Sequence, residues 1–164
     1  MVILGIDPGL TTLGWGVITE RQHKQALMDF GCIITPPDQP FPKRLLSIQT
    51  EFKEILQRYS PDEIAFEELF FSRNVTTALT VGAARGVCVA LAADFTHDVY
   101  EYTPMQVKQA LTGYGRADKK QVQEMVKLLL SMEQIPKPDD AADALAIALT
   151  HAAMGAARGQ FMMK

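Results

Sequence analysis

Residues 2–9 read Val-Ile-Leu-Gly-Ile-Asp-Pro-Gly, a continuously apolar run that ends on an aspartate and a Pro-Gly turn. Such a run lacks the alternation of a half-exposed strand and describes a central strand buried on both faces. Leu13 to Thr19 and Leu27 to Thr35 are expected as further strands, antiparallel because their connections are too short for crossover helices. The prolines between Pro36 and Pro42 stop the sheet. Leu45, Ile48, Phe52, Ile55 and Tyr59 then share one stripe of a helix that Ser60-Pro61 terminates. Ile64 to Phe66 and Val99 to Tyr102 are a fourth and a fifth strand. Between them runs an Ala-rich helix from about Asn74 to Asp94, whose Gly82 and Gly86 leave room for another backbone. Thr103-Pro104-Met105-Gln106, and Asp118 with Gln121, read as capping boxes, and a last helix starts near Asp139 and continues past His151. The order describes an α/β fold, a mixed five-stranded sheet flanked by helices.

A length of 164 residues fits a single domain, 1–164, with a short flexible C-terminal tail from about 155. The 48% apolar and 21% charged composition excludes a disordered chain or a coiled-coil rod. Cys32 and Cys88 form no Cys-x-x-Cys pair and read as two buried free thiols in a reducing compartment. The apolar start is broken at Asp7, so no signal peptide is expected. Val75 to Ala93 is the most membrane-like stretch, but its threonines, glycines and alanines, with Arg85, describe a buried helix of a soluble, cytoplasmic protein without a membrane partner.

Several carboxylates stand where the pattern rejects them. Asp7 ends one apolar strand and Glu67 another. Asp143 lies inside the helical run Ala-Ala-Asp-Ala-Leu-Ala-Ile-Ala-Leu, and Asp140 shares its face one turn earlier. Asp139 or Asp140 could instead cap the helix, and Asp7 could bond the amides of its own turn. Glu67 and Glu68 are not separable by alternation in so short a strand. No basic residue lies three or four positions from Asp143 to pair with it. An unpaired buried carboxylate must be protonated, paired or metal-bound. Converging at one sheet edge, Asp7, Glu67, Asp140 and Asp143 would form an all-oxygen site suited to Mg2+ or Mn2+. Two such ions about 4 Å apart would activate a water and stabilise the leaving oxygen of an in-line phosphoryl displacement, the chemistry of phosphodiester hydrolysis.

The formal net charge of -3 argues against a polyanionic partner, but the charge is segregated. Residues 105–130 hold five bases, Lys108, Arg116, Lys119, Lys120 and Lys127, against two acids; residues 51–70 hold six acids against two bases. The turn Gly113-Tyr114-Gly115-Arg116 leads to a helix opening with Asp118-Lys119-Lys120, a phosphate seat or, equally, a solvated face. Phe70 and Phe71 precede Ser72, Arg73 and Asn74 in a loop, where adjacent aromatics beside a base can stack on nucleobases unless one is buried in the core.

Gly-Ile-Asp7-Pro-Gly, Phe66-Glu67-Glu68 before Phe70, Arg85-Gly86, Pro-Met-Gln-Val-Lys108-Gln and Asp140-Ala-Ala-Asp143-Ala-Leu-Ala-Ile-Ala, in this order, resemble the RuvC Holliday junction resolvases. The resemblance implies an RNase H-like fold and a magnesium-dependent endonuclease with two Mg2+ per site. It also implies a homodimer acting on four-way junction DNA in recombination and repair, partnered by the branch-migration complex RuvA and RuvB. It places the four catalytic carboxylates on Asp7, Glu67, Asp140 and Asp143, the important lysines on Lys108 and Lys119, and the base-stacking phenylalanine on Phe70. Lys120 is a second lysine beside Lys119 where the family pattern has one. Competing readings are an RNase H-like nuclease of ribosomal RNA precursors and a non-catalytic junction-binding module.

Overall fold

The computed structural model describes residues 1–69, 75–96 and 98–164. Five strands, β1 (Val2–Asp7), β2 (Thr12–Arg21), β3 (Lys24–Ile34), β4 (Glu63–Glu67) and β5 (Val99–Tyr102), form one sheet in the order β3-β2-β1-β4-β5. The pairs β1–β2 and β2–β3 are antiparallel, while β1–β4 and β4–β5 are parallel, so the sheet is mixed as expected. The helices are α1 (Phe41–Tyr59), α2 (Val75–Phe95), α3 (Pro104–Thr112), α4 (Lys119–Leu129) and α5 (Asp139–Met154), followed by a 3-10 helix at Gly155–Phe161. Both capping boxes form: Thr103 accepts from the Gln106 amide and Asp118 from the Gln121 amide, which fixes where α3 and α4 begin.

The pleat sorts the side chains into two cores. Leu4 and Ile6 of β1, with Ile64 and Phe66 of β4, point to a layer containing α1 and α2. Ile3 and Ala65 point to the opposite layer of α3, α4 and α5. Since side chains alternate along a strand, Gly5 and Asp7 lie with Ile3, and Glu63 and Glu67 lie with Ala65, all toward α5. Helix α5 reaches the sheet backbone itself. A Cβ on Gly5 would stand 2.1 Å from the Ala144 carbonyl oxygen, and one on Gly14 2.0 Å from that of Asp140. Gly14 pairs with Asp7 in register, so this close approach sets the first turn of α5 against the end of β1.

Three expectations are corrected. Helix α2 is long and apolar enough to cross a membrane by length and composition, but it is not a buried core helix: only Ala84, Cys88 and Ala92 are buried. It is apolar all round, so one face meets the core and the other faces outward. Among the described residues, no other backbone lies within 4 Å of where a Cβ on Gly82 or Gly86 would stand. The tail expected to be flexible from about 155 is built into the fold. Arg158 donates to Glu20 at 2.6 Å and Glu63 at 3.2 Å, and to the carbonyls of His151 and Ala152. Beyond it, Met162 bridges Tyr100 and the Met163 amide donates to the Val99 carbonyl, covering the free edge of β5.

Candidate active site

Ile6 pairs with Phe66 across the parallel β1–β4 ladder, so Asp7 and Glu67, the next residues, end neighbouring strands side by side. Their carboxyl groups stand close enough for each to shift the other's titration. Burial, reinforced by the charges of Glu67, Asp143 and Asp140, pushes the Asp7 pKa up to about 8. Burial also raises Glu67, with Asp143 adding to the shift and Lys119 opposing it. At neutral pH burial thus favours the protonated form of Asp7. Asp143 is likewise raised by burial and partly relieved by Lys119.

Helix α5 carries Asp140 and Asp143 to this end of the sheet. Its N-cap is Pro138, without a side-chain bond, so neither Asp139 nor Asp140 caps it. Lys119, the first residue of α4, places Nζ 2.9 Å from Asp143 Oδ2 and 3.7 Å from Asp139 Oδ2. Lys108 of α3 joins Glu67, Lys119 and Asp143 around a cavity of about 220 Å3 walled by Val107, Val122, Ala146 and Ile147. Lys120 turns away and lines a second cavity with Tyr114, Asp118 and Glu124, so Lys119 is the lysine that meets the carboxylates. Arg116 is exposed on the connection into α4. Glu68 is excluded from the cluster by the pleat; its amide donates to the Tyr102 carbonyl and its side chain lines a cavity with Glu101 and Gln106. Phe70, Arg73 and Asn74 lie outside the described residues.

Among the described residues, no three carboxylate, histidine or cysteine side chains are drawn together tightly enough to cage a metal as they stand. Asp143 instead holds the Lys119 ammonium. The donor set nevertheless fits a hard divalent cation, because it holds only oxygen ligands and its raised pKa values report uncompensated buried negative charge. Cation uptake by Asp7 must displace its proton. Affinity should therefore rise with pH up to about 8, with close to one proton released per binding event near neutrality. Calorimetry in buffers of different ionisation enthalpy measures that release; pH-independent uptake would exclude Asp7 as a ligand.

Sequence reasoning missed Gly5 and Gly14, which seat α5, and Asp139, which shares the lysine. Glycines at alternate positions 14 and 16 inside a predicted strand are a signal of close backbone approach.

A mixed sheet with β1 at its centre, carboxylates ending β1 and β4 and a helix bringing two more, has the architecture of the RNase H-like nucleases. The profile of the family "Crossover junction endodeoxyribonuclease RuvC" matches residues 3–151. The enzyme of that name from Alkaliphilus oremlandii is 52% identical over 164 residues, the whole of both chains. That from Desulfitobacterium hafniense is 53% identical over 152 residues, 93% of this chain and 92% of its own. Thermus thermophilus RuvC, solved in complex with a Holliday junction substrate, superposes with a TM-score of 0.90 at 38% identity, covering 99% of this chain and 100% of the other. The yeast mitochondrial Holliday junction resolvase shares the fold at a TM-score of 0.70 and 14% identity, over 96% of this chain and 82% of its own. The chain belongs to the RuvC family of crossover junction endodeoxyribonucleases. Nucleases of this family are metal-dependent.

Proposed function

We propose that this endodeoxyribonuclease resolves four-way DNA junctions by direct hydrolysis of one phosphodiester in each of two symmetry-related strands, leaving 5'-phosphate and 3'-hydroxyl ends. The observation that carries the reading is the convergence of Asp7, Glu67, Asp140 and Asp143 at one end of the sheet with a single lysine, Lys119, bonded into the cluster. These four carboxylates would hold two Mg2+, for which Mn2+ substitutes. Bound there, magnesium would lower the pKa of a water and neutralise charge on the phosphate. Lys119 and Lys108, on the rim of the same cavity, neutralise and position the scissile phosphate. Arg116 and Lys120 extend the basic surface for flanking phosphates. Phe70, with Arg73 and Asn74, reads unstacked bases near the crossover.

A junction presents two equivalent strands about a two-fold axis, and a two-fold dimer offers one site to each. The outward face of α2 suits that contact. Val75 and Leu79 are 68% and 69% exposed, and Gly86, Ala90 and Ala93 continue the same exposed stripe. Leu79→Glu should convert the dimer to monomers in analytical ultracentrifugation without altering cation binding; a dimer that persists places the interface elsewhere. The branch-migration complex RuvA and RuvB is the proposed partner, and the protein is assigned to the cytoplasm.

The test is incubation with a mobile synthetic four-way junction, a linear duplex of the same sequence and an RNA hairpin, each with and without Mg2+. Magnesium-dependent paired nicks in the junction alone are expected. Preferential hairpin cleavage would favour a ribosomal RNA nuclease, and binding without turnover a non-catalytic module.

A further inference from the structure

Lys119 stands between two carboxylates of one helix face. Asp143, one turn into α5, holds its ammonium at 2.9 Å, and Asp139, at the start of that helix, presents Oδ2 at 3.7 Å. The second oxygen of Asp139 is already engaged: Lys137 Nζ donates to Oδ1 at 2.7 Å, leaving Oδ2 directed at Lys119. Gln123, one turn along α4 from Lys119, lies close enough to help hold the Asp139 carboxyl below its usual range, after the larger effect of Lys137. Its buried Nε2 nevertheless completes no hydrogen bond. Asp139 is thus a preset acceptor beside Asp143, and the cation reading of the site leaves it without a role.

From this geometry we infer that Asp139 is a positioning residue for Lys119. The inference rests on Asp143 being a cation ligand. A cation that takes Asp143 Oδ2, the oxygen that holds the Lys119 ammonium at 2.9 Å, would displace that ammonium, because one oxygen at contact distance from both would place two positive charges together. Asp139 receives the displaced ammonium less than 1 Å beyond its hydrogen-bonding range, so Lys119 stays at the rim of the cavity instead of swinging into solvent. Asp139 therefore assists twice: it eases lysine release when the cation arrives, and it retains the ammonium where the phosphate is to be neutralised.

The test is a double-mutant cycle read by Mn2+ binding to the DNA-free protein, followed by electron paramagnetic resonance of free Mn2+, together with the pH profile of single-turnover junction cleavage. Asp139→Asn should weaken Mn2+ binding about three- to tenfold in a chain with Lys119. In a Lys119→Met background the same change should weaken it less than twofold. Asp139→Glu should restore binding and the cleavage profile. Equal losses in both backgrounds would show that Asp139 acts only through its bulk charge and would overturn the inference, as would an unchanged affinity in Asp139→Asn. Mn2+ binding that is indifferent to Asp143→Asn would instead overturn the cation reading of Asp143, a separately recognisable outcome.

Discussion

Asp7→Asn should lower the single-turnover rate of junction cleavage by about a thousandfold or more and leave junction affinity within about threefold, because a charged ligand is lost while the basic rim is untouched. A second consequence distinguishes this residue from an ordinary surface aspartate. Asp7 is pushed from its usual 3.8 to about 8, so between those values the folded chain holds a proton that the unfolded chain has released. Stability of the metal-free protein must then fall as pH rises through that window, by up to about 1.4 kcal/mol per pH unit. Asparagine carries no such proton. The variant should therefore be the more stable protein at pH 8 in chelator, with a flatter dependence of Tm on pH, measured by calorimetric scans at pH 6 and 8. An inactive variant that is also less stable at pH 8 would mean that Asp7 holds the turn together.

Gly14→Ala should remove most activity from a position that touches no substrate. The new methyl would stand 2.0 Å from the Asp140 carbonyl oxygen, a distance no non-bonded carbon tolerates, and the obstructing atoms are backbone. Relief requires the first turn of α5 to lift off β2, and that turn carries Asp140 with Asp143 close behind. Overpacking of this kind costs about 1–3 kcal/mol, a fall in Tm of roughly 3–10 °C for a chain of this size. Displacing reacting groups by about 1 Å lowers the rate about a hundredfold. Gly159→Ala is the control: a Cβ there meets nothing within 4 Å, and neither Tm nor rate should change. A Gly14→Ala enzyme with full activity would show that α5 need not lie flush on the sheet.

The strands were legible because Pro-Gly turns and proline clusters punctuate them, and the starts of α3 and α4 because their capping boxes are local in sequence. Asp143 stood out as a charge inside an alanine helix. Its partner did not, since Lys119 lies 24 residues away and reaches it only through the packing of α4 on α5. Alternation alone did not separate Glu67 from Glu68; the family resemblance chose Glu67, and the β1–β4 register gives the physical reason, setting it beside Asp7. Helix α2 is apolar on every side, so no periodicity could say how much of it the core covers. The C-terminal residues contain no long apolar run, and their anchor is a single arginine paired with acids from β2 and β4. The net charge misled for a physical reason as well: the two divalent ions proposed for the site would add four charges to -3 and give +1, and the bases are clustered between 105 and 130.

Asp7, Glu67, Asp140 and Asp143 are proposed to constitute one cation-binding hydrolytic centre. Anomalous diffraction from crystals grown with Mn2+ and a four-way junction tests that proposal most directly. Anomalous peaks in contact with the carboxylate oxygens of Asp7 and its three partners, beside a junction phosphate, are the predicted result. Mn2+ ordered elsewhere, with Lys119 still on Asp143, would contradict it.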